Sequence, residues 1–231
     1  MWNGKKKAIT FSFDDGVTQD IRLVGILNRY GLKGTFNLNS GYLGLPGELI
    51  RDGKKVNHNK VRESEVRALY AGHEVAVHTL THPNLTTLDD ETIVRQVEED
   101  RKALERICGY PVCGMAYPCG GVNNDDRVAK IIAENTPVRY ARTITSTHNF
   151  DLQTNLMRFN PTVYYIEDCL FDVAERFLAL DAQEPQLLYI WGHSYELDYI
   201  DSINWEKFER LCRLISGKDD IYYGTNKEVL L

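Results

Sequence analysis

The sequence predicts a parallel α/β fold with barrel-like closure. Three observations carry that expectation. Short apolar runs alternate with helical periods almost end to end, about seven such units fit the 231 residues, and no repeat, low-complexity tract or linker divides them. Residues 1–231 are therefore read as one domain. With 43% hydrophobic and 26% charged residues, the composition is that of an ordinary globular protein able to bury a substantial core.

Taken in order, Ala8–Phe13 reads as a strand. Gln19–Tyr30 puts Leu23, Ile26, Leu27 and Tyr30 on one helical face and stops at Gly31. Thr35–Leu38 is a second strand. The segment carrying Gly41, Gly44, Pro46, Gly47 and Gly53 reads as a loop, suspiciously long for a plain connection. Glu65–Ala71 is a short helix ended by Gly72, and Glu74–His78 a third strand. Asp90–Cys108 is the clearest helix: Ile93, Val97, Leu104 and Cys108 form a stripe, Thr87 or Asp89 caps it, and Gly109 closes it. Strand Gly114–Tyr117, helix Asp125–Glu134 and strand Arg139–Thr143 follow. Met157–Tyr165 has no clear pattern. Helix Glu167–Leu180, strand Leu187–Trp191, helix Trp205–Ile215 and a last strand at Ile221–Tyr223 complete the alternation.

Bulk properties exclude several classes. A net charge of −6 offers no nucleic-acid surface. No segment approaches the roughly 20 apolar residues of a membrane span. The apolar run after Lys5-Lys6-Lys7 is short and ends in Asp14-Asp15, unlike a secretory signal, so the chain reads as cytoplasmic. Cys108, Cys113, Cys119, Cys169 and Cys212 are odd in number and form no CxxC pair, which fits reduced thiols.

Chemistry collects just past the strands. Asp14-Asp15-Gly16 follows the first, Asn37 and Asn39 mark the end of the second, and His78 and His82 follow the third. Tyr117-Pro118-Cys119-Gly120-Gly121 ends the fourth, Arg142 lies at the fifth, and Trp191-Gly192-His193 ends a late one. In a parallel barrel these C-terminal ends form one rim, where active sites are built. His78 and His82, four residues apart, can meet on one ion, and Pro83 makes the segment a turn. Two imidazoles and a carboxylate, with positions left for water, suit hydrolytic zinc and some other divalent metals. Each motif alone also has an ordinary reading, as polar histidines or an acidic turn; the shared rim favours the site. His193 is either a general acid or a structural histidine. His73 reads as structural, His58 and His148 lack supporting context, and Cys119 has no evident base to make it a nucleophile.

In this order, the residues resemble the polysaccharide deacetylase family with the NodB-homology domain, carbohydrate esterase family four. Thr10-Phe11-Ser12-Phe13-Asp14-Asp15-Gly16 resembles its first motif, and Gly72-His73-Glu74 through His78-Thr79-Leu80-Thr81-His82-Pro83 its second. The resemblance runs from about Lys7 to His193. It implies a distorted (β/α) barrel of about seven repeats and a divalent metal, zinc foremost with cobalt or nickel as alternatives, held by Asp15, His78 and His82. It implies Asp14 as base, His193 as acid, and removal of an acyl group, typically acetyl, from nitrogen of an amino sugar or short glycan. Cys119, through its backbone N–H, together with Tyr117, Arg142 and Trp191, is expected around the acyl oxygen and substrate.

Two departures stand out. Where the family commonly has R-x-P-Y, this chain reads Ala116-Tyr117-Pro118-Cys119, so the arginine that orients the base is missing; Arg142 is the candidate replacement. The fourth motif is not recognisable, leaving Asp151 and Glu196 as candidates to tune His193. Rival readings are an amidase or deformylase acting on a non-sugar amide with the same site, and a non-catalytic sugar-binding domain. A haloacid-type phosphatase is disfavoured because position 12 is Ser, which breaks the D-x-D pattern. Oligomeric state is not encoded in any of these patterns.

Overall fold

The computed structural model describes residues 1–51 and 53–231. Its strands are β1 (Lys7–Asp14), β2 (Gly34–Leu38), β3 (Glu48–Arg51), β4 (Lys54–Asn57), β5 (Glu74–Val77), β6 (Gly114–Ala116), β7 (Tyr140–Arg142), β8 (Val163–Tyr164), β9 (Gln186–Gly192) and β10 (Ile221–Tyr223). The helices are α1 (Asp20–Arg29), α2 (Glu63–Leu69), α3 (Asp90–Cys108), α4 (Asp126–Asn135), α5 (Leu170–Leu178), α6 (Trp205–Ile215) and α7 (Asn226–Leu230).

The main sheet runs β7-β6-β5-β2-β1-β9-β8, all in parallel pairs, with β10 on the lower part of β1 beside β2. A parallel bridge from Arg142 to Phe159 joins β7 to the segment leading into β8, so the sheet curls into a distorted barrel. The expected (β/α) barrel is therefore the observed one. All eight residues of central β1 are buried, as in a strand covered on both faces. Phe11 and Phe13 stack at 5.9 Å, and Phe36, Tyr165 and Phe208 pack around them. That aromatic core fixes the register of β1 against β2 and β9.

Helix ends obey local chemistry. Asp89 caps α3 by accepting from Thr92 N, and Gly109 ends it in the left-handed conformation at φ 78°. The segment between β2 and α2 is not a plain loop, contrary to expectation, because β3 and β4 form an antiparallel hairpin there. Among its described residues only Val56 is buried, so no apolar alternation announces it. The hairpin packs back on the body through Val56, Val17 and Tyr195, and Lys54 Nζ donates to Tyr199 O. The unassigned stretch supplies β8, and α7 was not anticipated.

Register sets the rim. Asp14 lies opposite Asn37, Leu38 opposite Val77, Ala116 opposite Arg142, and Tyr164 opposite Trp191. Residues one or two positions beyond these pairs therefore converge above the barrel.

Candidate active site

Asp15 ends β1 in a left-handed turn at φ 81°, followed by Gly16 at φ 59°. The positive φ favours glycine at position 16, and a Cβ there would lie 2.6 Å from Leu38 Cδ2 and push that side chain aside. Thr79, His82 and Cys119 also have positive φ, at 66°, 55° and 70°. Such backbone costs about 1–3 kcal/mol per residue, and clusters of it mark sites held by their surroundings.

The three expected ligand atoms converge. One ligand atom each from Asp15, His78 and His82 all lie within 4.8 Å of one another. Asp15 Oδ1 is 3.9 Å from His78 Nε2 and 3.6 Å from His82 Nε2. His78 Nδ1 lies 2.9 Å from the Ala116 carbonyl, which accepts its proton and leaves the Nε2 lone pair facing Asp15. Burial pushes His78 down to about 4, so its imidazole is a neutral donor at physiological pH. Behind it, the buried Asp100 carboxylate accepts from the backbone N–H of His78 at 3.1 Å and of Ser40 at 2.7 Å. This donor set, with a fixed tautomer and a backing carboxylate, fits a divalent cation.

Asp14 faces a different environment. Arg142, fully buried on β7, grips both its oxygens, with Nη2–Oδ1 at 2.5 Å, and Asn37 Nδ2 donates to Oδ1 at 2.8 Å. Burial opposes ionisation, but the guanidinium wins and holds the carboxyl below its usual range. Arg142 is itself fixed by Nε–H donation to Ser12 Oγ and by stacking on the Trp191 ring at 4.5 Å. The arginine absent from the turn after β6 is thus supplied in space from the next strand.

His193 closes the other side, its Nε2 4.0 Å from Asp14 Oδ2. Glu196 Oε1 sits 3.2 Å from His193 Nδ1, and Glu196 Oε2 accepts from the His193 backbone N–H at 3.0 Å. Burial works against the charged imidazole, yet Glu196 outweighs it and raises His193 to about 9. The Tyr164 hydroxyl donates to the same glutamate. Asp151 has no part in this: it hydrogen-bonds Gln186 at the start of β9, the opposite end of the strand from His193. Its carboxylate is held at the barrel floor by that bridge, so Asp151 is withdrawn as a tuning residue.

The remaining expected residues line the same cavity of about 740 Å³. Tyr117 forms wall, its hydroxyl donating to Met157 O. Cys119 brings its Sγ to 3.8 Å from His82 Nδ1. His58, which had no supporting context in the sequence, and Lys60, which the sequence did not single out, also reach the cluster: His58 Nε2 is 3.2 Å from Asp15 Oδ2, and Lys60 Nζ donates to Asp15 O at 2.8 Å. Burial would raise Asp15, but His58 and Lys60 hold it well below the usual carboxylate range. Both residues follow the hairpin in chain order, and the unusual length of that segment was the one signal that set it apart. His73 is structural as expected, accepting from Gly34 N at the bottom of β2.

A parallel barrel whose rim gathers paired carboxylates and four imidazoles around one cavity has the layout of a hydrolytic centre. The chain belongs to the polysaccharide deacetylase family, whose profile matches residues 2–140. It is 29% identical over 102 residues to a chitooligosaccharide deacetylase of Rhizobium leguminosarum bv. trifolii, covering 43% of this chain and 40% of that one. It is 27% identical over 124 residues to a peptidoglycan-N-acetylmuramic acid deacetylase of Bacillus subtilis, covering 53% and 23%. The match thus spans less than half the length of these curated relatives. In fold it is similar to a family-four carbohydrate esterase pseudoenzyme from Bacillus anthracis, with TM-score 0.57, 19% identity, and coverage of 98% of this chain and 66% of that one. The two curated relatives are named as deacetylases, hydrolases of N-acetyl amide bonds, whereas the structural neighbour is named a pseudoenzyme; the family implies a divalent metal. No helix of the described residues is long and apolar enough to cross a membrane.

Proposed function

We propose that residues 1–231 act as one catalytic unit, a zinc-dependent deacetylase that removes acetyl from nitrogen of an amino sugar or short glycan. The observation that carries this reading is the joint placement of the Asp15–His78–His82 cluster, the Asp14–Arg142 pair and His193 on one cavity. Asp15, His78 and His82 would hold the cation. When bound, such a cation lowers the pKa of water and polarises an acyl oxygen.

The chain's own residues supply the rest. Asp14, ionised and locked by Arg142, takes the proton from the attacking water. His193 enters protonated, because Glu196 keeps it so, and its Nε2 delivers the proton that an amine needs to leave. With Asp14 and His193 4.0 Å apart, the proton gained by one is near the group that must be recharged. Tyr164, backed by the buried Trp191 ring at 4.1 Å, lines the cavity as flat wall for a sugar ring. Cys119 is proposed to present its backbone N–H to the acyl oxygen, with Tyr117 shaping the wall.

A second reading, an amidase for a compact non-sugar amide, is favoured by Leu45, Leu49 and Ile144 on the cavity wall. Metal analysis together with acetate release from N-acetylated sugars, from monomer to oligomer, and from simple amides separates the two. Stoichiometric metal with no acetate from any substrate would leave a binding domain and defeat the proposal.

A further inference from the structure

Away from the cavity cluster, three potential ligands meet on the outer surface. His148 lies in the loop after β7, and Glu167 and Cys169 in the turn from β8 to α5. His148 Nε2 is 2.6 Å from Glu167 Oε2, and Cys169 Sγ is 3.7 Å from each. Tetrahedral bonds of about 2.0–2.3 Å to nitrogen, oxygen and sulfur put neighbouring ligands roughly 3.5 Å apart. The two sulfur distances already match. The nitrogen–oxygen pair needs to open by less than about 1 Å, replacing a hydrogen bond with two metal bonds.

The frame around these atoms is fixed. Glu167 Oε1 accepts from Ser146 Oγ and from Tyr164 N, which leaves Oε2 for the other two side chains. The His148 backbone is pinned at both ends, donating to Thr162 O at 2.9 Å and accepting from Arg176 Nη2 at 3.0 Å. It is held at φ 51°, a conformation non-glycine residues rarely adopt.

We propose that His148, Glu167 and Cys169 form a second divalent-cation site, with zinc its best-suited occupant. A thiolate with an imidazole and a carboxylate selects zinc or cobalt over magnesium or calcium. Binding breaks the Cys169 S–H bond, forms a sulfur–metal bond and releases the proton to solvent. His148 and Glu167 side chains are 45% and 28% exposed, so the ion enters from outside and a water completes the fourth position. The bound ion ties the loop after β7 to the start of α5. That loop begins near Ile144, a wall of the catalytic cavity, so occupancy would stiffen that wall.

Cobalt titration of the metal-free full chain tests this independently of catalysis. Two equivalents are expected, with a near-ultraviolet thiolate-to-cobalt charge-transfer band. Cys169→Ser should abolish the band and one equivalent while circular dichroism stays unchanged. His78→Ala should remove the other equivalent and keep the band. His148→Ala and Glu167→Gln should each weaken the band-forming equivalent by about 10–100-fold. A band that survives Cys169→Ser, or one lost in Cys119→Ser instead, overturns the proposal, as does wild-type affinity in both His148→Ala and Glu167→Gln.

Discussion

The two ends of the barrel use the same residue types for opposite purposes. At the floor, Glu74 is buried but fully answered: Tyr140 donates to Oε1, and Thr35 and the Lys227 backbone donate to Oε2. Asn226 of α7 adds a bond from Thr10 and one to Tyr189. At the rim, Asp14, Asp15 and His78 are buried while the His82 and His193 side chains keep 31% and 18% exposure, and all five line one cavity. Two histidines make the same contrast. His73 at the floor is pushed down to about 4, first by burial and then by Lys33, while His193 at the rim is raised to about 9 by Glu196 against burial. Burial alone therefore does not distinguish structure from chemistry. The distinction is whether polar groups satisfy one another or converge on one cavity.

The largest expected effects break the rim side of that contrast. His78→Ala should lose the cation of the catalytic cluster and its turnover, with fold retained by circular dichroism. Asp14→Asn should keep most of the metal while turnover falls by about 10²–10⁴-fold. Loss of metal in Asp14→Asn as complete as in Asp15→Asn would refute the separate roles of the two carboxylates.

Arg142→Met is next. It leaves a buried carboxylate unpaired, so stability should drop by about 3–5 kcal/mol in denaturant melts. The Asp14 pKa is lowered in the folded state, so its stabilising contribution is present above the unfolded value and lost as pH falls through the folded one. In the variant the acid limb of activity should move to higher pH. An unmoved limb would show that Arg142 does not govern the base.

A smaller change sharpens the assignment of His193. Since His193 is raised from 6.5 to about 9, acid catalysis should persist at neutral pH and fade as pH passes about 9. Glu196→Gln should move that alkaline limb downward and slow amide cleavage more than cleavage of an ester with a good leaving group. Equal losses on both substrates would leave His193 a positioning residue.

The smallest effect belongs to the floor. Burial raises Glu74 above its ordinary value, so the fold is favoured where Glu74 is protonated, and that contribution is lost as pH rises through the folded pKa. Glu74→Gln should flatten the stability profile as pH rises above the ordinary carboxylate range and leave turnover unchanged. A loss of activity comparable to that of Asp14→Asn would erase the distinction between the two ends.

Much of this was legible in the residues themselves. The stripe on α3 and its Gly109 cap place that helix from Asp90 to Cys108, and α6 likewise matches Trp205–Ile215. Asp14, Asp15, His78 and His193 sit where strands end, and parallel alternation alone puts such ends on one rim. The hairpin stayed hidden because its strands are short and largely exposed, with no alternating apolar face to read. Helix α7, five residues long, is too short for a helical period to declare itself.

What local sequence determined, then, was which segments form strands and helices and which polar residues lie at their ends, because those preferences are set within one or two turns of chain. Glu196 meets His193 within one turn of chain, but only the tertiary structure decided that Arg142 grips Asp14 across 128 residues, that Asp151 lies at the far end of β9, and that His58 and Lys60 reach Asp15. Those pairings depend on strand order, register and the bridge from Arg142 to Phe159 that curls the sheet. Closure of a sheet is a property of all its strands at once, and no single segment contains it.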